Sequence, residues 1–260
     1  MRLLVNTKNS NPLVSIITPS FNSERFIIET YESICSQSYG NWEWLITDDC
    51  SIDQTLSIIK IISLNDERVK VYSNFVNSGA AVSRNNSISN SKGDYLAFID
   101  SDDLWYAGKL EMQLDFMQQN DIELCFTAYE VITEDGRSTG KVVDSLQNTP
   151  LTYRDMLRKK ATHGCSTVML KKDSFNDVQM PLLRTGQDYA LWLKLLRTNI
   201  NTVPLPRVLT KYRICSNSIS RNKFKKARRQ WQIYREVESL SLLKSLEFFC
   251  FYAFRAVFKR

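Results

Sequence analysis

The sequence is poor in the side chains that most often bind transition metals. It has one histidine in 260 residues, and no two of its six cysteines form a Cys-x-x-Cys pair. The cysteines are Cys35, Cys50, Cys125, Cys165, Cys215 and Cys250. Their scatter argues against a zinc ribbon or a dithiol redox motif and favours the reduced thiols of a cytosolic protein. The one histidine, His163, precedes a predicted strand, and we interpret it as a structural residue.

Long apolar runs are also missing. Residues 1–12 contain only Leu3-Leu4-Val5 as an apolar stretch, which is much shorter than a signal-peptide core. No run reaches the roughly 18–20 apolar residues that a membrane-spanning helix needs. We therefore expect a cytoplasmic protein that begins with an N-terminal arm over residues 1–12. The hydrophobic content of 43% is enough for a sizeable core.

Strand and helix patterns alternate four times in the first half of the chain. Strands are predicted at residues 14–18, 42–47, 69–72 and 95–99, and helices at 23–37, 55–63, 80–91 and 109–119. This alternation is typical of an α/β fold with a mostly parallel sheet and helices on both faces. In such sheets, ligands bind beyond the carboxyl ends of the strands.

The fourth predicted strand ends in a crowded acidic loop. Asp100, Asp102 and Asp103 fall within four positions, directly after the apolar residues 95–99. Carboxylates this close repel one another, and a bound divalent cation would relieve the repulsion. The alternative is a polar turn that caps the next helix, since Asp and Ser are common N-caps.

Polar loops also follow the other predicted strands of the first half. They are Pro19-Ser-Phe-Asn22, Asp48-Asp49-Cys50-Ser51-Ile52-Asp53 and residues 74–79. Because the carboxyl ends of parallel strands meet at one edge of a sheet, we expect these loops to join the acidic loop there.

Beyond residue 120 the strand and helix repeat stops. Strands are predicted at residues 122–129 and 165–170, and helices at 153–158 and 187–197. We interpret this half as an extension of the same sheet with a different binding surface. Asp188 lies in the first turn of an amphipathic helix, where a carboxylate is also favourable for purely structural reasons.

The C-terminal residues 221–260 combine positive charge with aromatic side chains. Five of the seven residues 223–229 are Lys or Arg, and a segment rich in Leu and Phe follows over residues 240–258. Basic and aromatic helices of this length suit the surface of an anionic membrane. A helix packed on the core or on a partner is the alternative, and nucleic acid is not the expected partner.

Four segments, taken in order, resemble the inverting family 2 glycosyltransferases of the Rossmann-like GT-A fold. They are VSIITPSFN at 14–22, DDCSIDQT at 48–55, GAAVSRNNSI at 79–88 and FIDSDD at 98–103, and GQDYALWL at 186–193 resembles the acceptor-side motif. The resemblance covers residues 13–215. It implies a GT-A domain over residues 13–220, with a nucleotide-sugar half at 13–120 and an acceptor half at 121–220.

The resemblance also implies how the donor is bound. Pro19, Phe21 and either Asp48 or Asp49 would line the nucleobase, and a carboxylate that accepts from the N3 hydrogen of uracil favours uridine over cytidine. Arg84 would face the diphosphate, for which a guanidinium is a suitable partner. The predicted nucleotide-sugar set is completed by Asn22, Asn77, Asp100 and Asp102.

The implied cofactor is Mn²⁺ or Mg²⁺, held by Asp102 and Asp103. One residue of this pair would face the ribose and the other would bind the metal, and Asp103 is expected as the direct metal ligand. The ion would stabilise the departing nucleoside diphosphate. Asp188 matches the base that takes the proton from the acceptor hydroxyl. Gln187 replaces the usual Glu. Cys215 stands where many relatives carry a metal-binding His, but a thiol suits Mg²⁺ poorly.

We therefore expect an inverting transferase that moves a hexose, with glucose as the first choice, from a UDP-sugar to a sugar linked to polyprenyl diphosphate. The expected role is O-antigen-like surface-polysaccharide assembly, at the cytoplasmic face of the bacterial inner membrane. One alternative is a membrane-associated scaffold of the same fold that has lost turnover. The other is a nucleotidyltransferase, but residues 19–22 lack the glycine and the cation that its phosphate loop needs.

Overall fold

This computed structural model describes residues 11–215 and 223–258. Residues 14–213 contain the nine strands of one mixed sheet. The strands are β1 (Val14–Ser20), β2 (Trp42–Asp48), β3 (Val69–Ser73), β4 (Tyr95–Phe98), β5 (Leu104–Trp105), β6 (Leu124–Ile132), β7 (Ser138–Val143), β8 (Val168–Lys171) and β9 (Val203–Arg213). The helices are α1 (Ile27–Cys35), α2 (Thr55–Asn65), α3 (Ala80–Asn90), α4 (Lys109–Gln119), α5 (Tyr153–Leu157), α6 (Gln187–Leu196), α7 (Lys223–Gln232) and α8 (Leu242–Phe258).

The first half of the sheet is parallel, in the order β3-β2-β1-β4. The central strand β1 pairs on both sides, so that Ile16 lies between Trp44 and Ala97. Such strands are buried on both faces, which is why they are nearly continuous apolar runs in the sequence. The predicted alternation of strands and helices is confirmed in this half.

The second half of the sheet makes it mixed. Strand β8 joins β4 antiparallel, and the order continues through β6, β9 and β5, with β7 added to β6. The predicted strand at 165–170 begins instead as a 3-10 turn at Cys165–Thr167, and β8 follows it. Strands β5, β7 and β9 had no counterpart among the predicted elements.

Helices cover both faces of the sheet and bury a separate apolar core on each. Helices α1, α2 and α4 pack on one face through residues such as Ile34, Ile59 and Leu114. Helices α3, α5 and α6 pack on the other, where Phe98 and Trp192 meet edge to face with ring centroids 5.4 Å apart. The α/β prediction with helices on both faces is therefore confirmed.

The C-terminal helices pack against the core of the second half. Tyr234, in a π-helical turn that follows α7, is fully buried and donates its hydroxyl to the carbonyl of Leu157 at 2.5 Å. Helix α8 buries Phe248 but leaves Leu243 and Phe254 exposed. Within residues 11–215 and 223–258, no helix has the length and apolarity of a membrane span. Most of the expected N-terminal arm, residues 1–10, lies outside the described residues.

Candidate active site

The loops after β1, β2 and β4 meet at one edge of the sheet, as expected. The backbone N–H of Asp49 donates to the carbonyl of Ser20 at 2.8 Å, and Asn22 accepts from the backbone of Ile52 at 3.0 Å. The hydroxyls of Ser23 and Ser101 lie 2.7 Å apart and join the first loop to the acidic loop. These bonds fix the three loops relative to one another.

Asp48 and Asp49 are both buried, and both already hold loop backbone. Asp48 accepts from the backbone N–H of Ser51 at 2.9 Å and from its hydroxyl at 2.5 Å. Asp49 accepts three bonds from the loop after β3, two of them from the backbone N–H groups of Ser78 and Gly79 at 2.8 and 2.7 Å. The pair therefore fixes the loops after β2 and β3 and forms a buried polar floor at this edge of the sheet.

The other predicted nucleobase residues surround this floor. Pro19 lies in β1 opposite Thr47 of β2, and the ring of Phe21 is about half exposed. Asn77 donates its side-chain amide to the carbonyl of Asp49 at 3.3 Å. An exposed aromatic ring beside a buried polar floor offers a stacking surface for a base.

Arg84 of α3 is buried and forms an ion pair with Asp100. Burial opposes the charge of this guanidinium, but nearby acidic groups, chiefly Cys165, Asp100 and Asp188, raise its pKa above the ordinary value. Its Nε and Nη1 atoms have no hydrogen-bond partner among the described residues. Buried donors of this kind normally find an acceptor, and an anion brought to Arg84 would supply one.

Asp103, the residue expected as the direct metal ligand, is held by contacts within the protein. Its side chain is buried, and its two oxygens accept from the hydroxyl of Ser166 and, at 2.9 Å, from the backbone N–H of Arg213. Burial and the charges of Asp102 and Asp100 raise its pKa well above the usual value for an aspartate. These bonds hold the acidic loop in place, and the role of Asp103 as a metal ligand stays a prediction.

Asp102 is the more available carboxylate of the acidic loop. It forms no salt bridge within the described part of the chain, and burial together with the charge of Asp100 raises its pKa to about 6. Its nearest thiol is that of Cys215, with Sγ 3.7 Å from Oδ2. Uncompensated negative charge on oxygen ligands fits Mn²⁺ or Mg²⁺, although no three acidic, thiol or imidazole groups converge on one point among the described residues.

Asp188 and Asp100 of the acidic loop line the same cavity, which has a volume of about 890 Å³. It lies in the first turn of α6, after Gly186, whose φ is 73°. The neighbouring Gln187 is buried, and its Oε1 has no hydrogen-bond partner among the described residues. The arrangement places a half-buried carboxylate opposite the predicted leaving-group side of the site.

His163 also lines the cavity, but the core surrounds its ring. Its Nε2 lies 2.8 Å from the hydroxyl of Thr202, and Phe126 and Trp192 pack against it edge to face. Burial lowers the pKa of His163 to about 3, so the ring is neutral. This environment agrees with the structural role expected for His163.

Two residues at the site were missed from the sequence. Arg213 donates from its backbone to Asp103, from Nε to the carbonyl of Asp102 at 2.8 Å, and from Nη2 to Glu29 at 2.6 Å. Ser166 donates to Asp103 and accepts from the backbone N–H of Asp100 at 3.1 Å. Neither residue has a local pattern around it, because both act through contacts distant in the sequence.

Glycosyltransferases of the GT-A class carry an acidic loop at the carboxyl edge of a parallel half-sheet, and this chain has that arrangement. Solved structures support the fold. TarS 1–349 of S. aureus in complex with UDP-GlcNAc matches with a TM-score of 0.70 and 20% identity, over 94% of this chain and 73% of that one. Mannosyltransferase PcManGT from Pyrobaculum calidifontis, in complex with GDP-Man and Mn²⁺, matches with a TM-score of 0.69 and 14% identity, over 96% and 71%.

Curated relatives are similar over nearly the whole chain. TuaG of Bacillus subtilis, a glycosyltransferase named for teichuronic acid biosynthesis, is 42% identical over 97% of this chain and 99% of its own. WfgD of Escherichia coli, named UDP-Glc:alpha-D-GlcNAc-diphosphoundecaprenol beta-1,3-glucosyltransferase, is 39% identical over 85% of each chain. The chain belongs to glycosyl transferase family 2, whose model matches residues 15–178.

Proposed function

We propose that this glycosyltransferase moves glucose from UDP-glucose, with inversion, to a sugar carried by a polyprenyl diphosphate in bacterial surface-polysaccharide assembly. The observation that carries the proposal is the cavity in which Asp188 and the acidic loop face each other. The donor and acceptor in this proposal are those in the name of the relative WfgD. A second relative, WfaP of Escherichia coli, carries the same name for its reaction and is 34% identical over 86% of this chain.

The donor lies along the loops of the parallel half in this proposal. Asp48 and Asp49 form the uracil side with Pro19, Phe21 and Asn22, and Asn77 closes the same edge. Arg84 faces the diphosphate, and its ion pair with Asp100 holds the guanidinium beside the acidic loop. A bidentate guanidinium suits a phosphate better than a lysine does.

A divalent cation, Mn²⁺ or Mg²⁺, fits Asp102 best, with Asp100 beside it. When bound, such an ion stabilises the negative charge that grows on the leaving nucleoside diphosphate. Asp103, Ser166 and Arg213 hold the acidic loop beside the cavity, which Asp100 of that loop lines.

Asp188 acts as the base. The acceptor hydroxyl oxygen attacks the anomeric carbon from the face opposite the diphosphate, its proton passes to a carboxylate oxygen of Asp188, and the bonding electrons leave with UDP. Because Gln187 is neutral, no second carboxylate competes for this proton at the neighbouring position.

The carboxyl-terminal helix brings the enzyme to its lipid-linked acceptor. Along α8, the exposed Leu243, Leu246 and Phe254 recur at helical spacing on one side, and Lys244 adds positive charge. An apolar stripe flanked by cations suits the interface of an anionic bilayer. We therefore place the enzyme at the cytoplasmic face of the inner membrane as a peripheral protein.

An assay with a panel of UDP-sugars, a sugar-diphospho-lipid acceptor and either Mn²⁺ or EDTA tests the proposal. We expect UDP release that requires the acceptor, is fastest with UDP-glucose and stops with EDTA, and NMR of the product should show a β linkage. No UDP release above background with any donor would reject the enzyme and favour the scaffold. Release of inorganic diphosphate from a sugar phosphate and UTP would favour the nucleotidyltransferase.

A further inference from the structure

The wall of the cavity opposite the acidic loop is strongly basic. Four cations line it, from three separate elements of the acceptor half and the C-terminal region. They are Lys141 of β7, Lys159 after α5, and Lys226 and Arg229 of α7. Among the described residues, none of the four takes part in a salt bridge or a side-chain hydrogen bond, and the Nε of Arg229 is buried without a partner.

The negative groups around these cations do not neutralise them. Asp100 is paired with Arg84, and Asp144 accepts from the backbone N–H groups of Thr162 and His163. Asp188 remains, and it has the base role proposed above. Four cations therefore face one another with few counter-charges, an arrangement that attracts a ligand with more than one negative charge.

The pKa values of three of these cations reflect the same crowding. Burial and the charge of Lys226 lower the pKa of Lys159 to about 8, against the opposing pull of Asp188 and Asp144. Burial and the charges of Arg229 and Lys141 lower the pKa of Lys226, and burial lowers that of Arg229. A bound anion would favour the charged forms of these groups and so raise their pKa values again.

The position of the basic wall indicates which diphosphate it binds. All four cations come after residue 121, whereas the loops proposed for the donor belong to the parallel half. Arg229 packs directly over Gly186, two residues before the base: a Cβ added at Gly186 would lie 2.7 Å from its Cδ. The same cavity is also lined by the apolar side chains of Ile214 and Ile233 and by the aromatic ring of Tyr252, which belongs to α8.

We infer that Lys141, Lys159, Lys226 and Arg229 bind the diphosphate of the lipid-linked acceptor, with its sugar toward Asp188 and its lipid toward α8. This inference rests on the proposed function, which supplies the chemical class of the acceptor. It assigns the recognition of the acceptor diphosphate to side chains of β7, the turn after α5, and α7, separate from the site of the donor diphosphate.

Calorimetric titrations test the assignment without requiring turnover. The probes are a sugar-diphospho-lipid with a short prenyl chain, its monophosphate counterpart, and UDP. We expect Arg229→Gln and Lys226→Gln each to weaken binding of the diphospho-lipid about tenfold, as for the loss of a charge-assisted hydrogen bond, and to leave UDP affinity within about twofold. Both should also reduce the preference for diphosphate over monophosphate.

Arg228→Gln is the matched control, because Arg228 is an exposed cation of the same helix and does not line the cavity. Arg228→Gln should change neither the affinity for the diphospho-lipid nor the affinity for UDP. If circular dichroism shows that Arg229→Gln is folded, Arg229→Lys should recover part of the lost diphospho-lipid affinity. Unchanged diphospho-lipid affinity in both glutamine variants would overturn the inference, as would an equal loss in Arg228→Gln or a loss confined to UDP. Tight diphospho-lipid binding without any sugar transfer would support this site and reject the proposed function.

Discussion

Gly186 is the residue at which the helix that carries Asp188 meets the basic helix α7. Its φ of 73° lies in the left-handed region, and an added Cβ would lie 2.7 Å from Cδ of Arg229 and 3.2 Å from Cδ1 of Ile233. Gly186→Ala must therefore strain the backbone and displace the side chain of Arg229. We expect it to lower both the stability of the protein and its affinity for the acceptor.

Two other glycines separate these effects. Gly140 has a φ of 75° with no atom within 4 Å of an added Cβ, so Gly140→Ala should lose only the backbone term of roughly 1–2 kcal/mol. Gly40 also has open space and no left-handed φ, and Gly40→Ala should be neutral or stabilising by up to about 1 kcal/mol. Gly186→Ala adds overpacking of about 1–3 kcal/mol to the same backbone term, for a total loss of roughly 2–5 kcal/mol.

Urea unfolding gives the three stabilities, and calorimetry gives the affinities for the short-chain diphospho-lipid and for UDP. Gly186→Ala should be the least stable variant and the only one of the three to weaken diphospho-lipid binding, with UDP binding unchanged. A stability equal to that of Gly140→Ala, together with wild-type diphospho-lipid affinity, would refute the packing of Arg229 over Gly186 and the role given to that contact.

Three further predictions concern charge and the membrane. Burial lowers the pKa of Lys109 to about 7, so the unfolded chain binds more protons between pH 7 and about 10.5 and stability rises with pH there. In urea unfolding, Lys109→Met should remove the rise of the free energy of unfolding with pH and should raise that free energy by roughly 2 kcal/mol at pH 7. This gain is what remains when the lost bond to Gln113 is subtracted from a charge penalty of about 4 kcal/mol. A rise with pH that persists in Lys109→Met would contradict the prediction. Since the pKa of Lys159 is about 8, the KM for the acceptor should increase above pH 8, and Lys159→Gln should abolish that increase; a pH-independent wild-type KM would exclude it. Leu243→Asp should reduce sedimentation with anionic vesicles, whereas Leu64→Asp, which changes a similarly exposed residue of α2, should not. Equal sedimentation of the wild type and both variants would reject the membrane face of α8.

The parallel half could be predicted from the sequence because its signals are local. Each strand from β1 to β4 is a short apolar run followed by a helical pattern, and the polar residues after it fall at the carboxyl edge by the geometry of parallel sheets. Even Asp188 stood out, because it opens an amphipathic helix in a segment that resembles the family's acceptor-side motif.

Strands β7 and β9 could not be predicted in the same way. All but the last residue of β7 are exposed, so it has no apolar run, and β9 contains Pro204 and Pro206 and pairs with β6 through two register shifts. Proline within a segment normally argues against a strand. Tertiary pairing with β6 on one side and β5 on the other overrides that local preference.

The different environments of Asp102 and Asp103 in the acidic loop depend on contacts with residues that are distant in sequence. Asp102 and Asp103 are adjacent, but Asp103 is held by Ser166 and Arg213, which lie 63 and 110 residues further along the chain. The basic wall has the same origin, since Lys141 and Lys159 become neighbours of α7 only in the folded protein. No local pattern distinguishes such residues from ordinary solvated side chains.

The most direct test of the central claim compares sugar transfer by the wild-type chain and by Asp188→Asn, with Asp173→Asn as an exposed control on the same half. We predict transfer from UDP-glucose to the diphospho-lipid by the wild type and by the control. In Asp188→Asn, kcat should fall at least about 100-fold, as for the loss of a general base, with UDP affinity unchanged. Wild-type kcat in Asp188→Asn, or no transfer by the wild type with any UDP-sugar, would contradict the account.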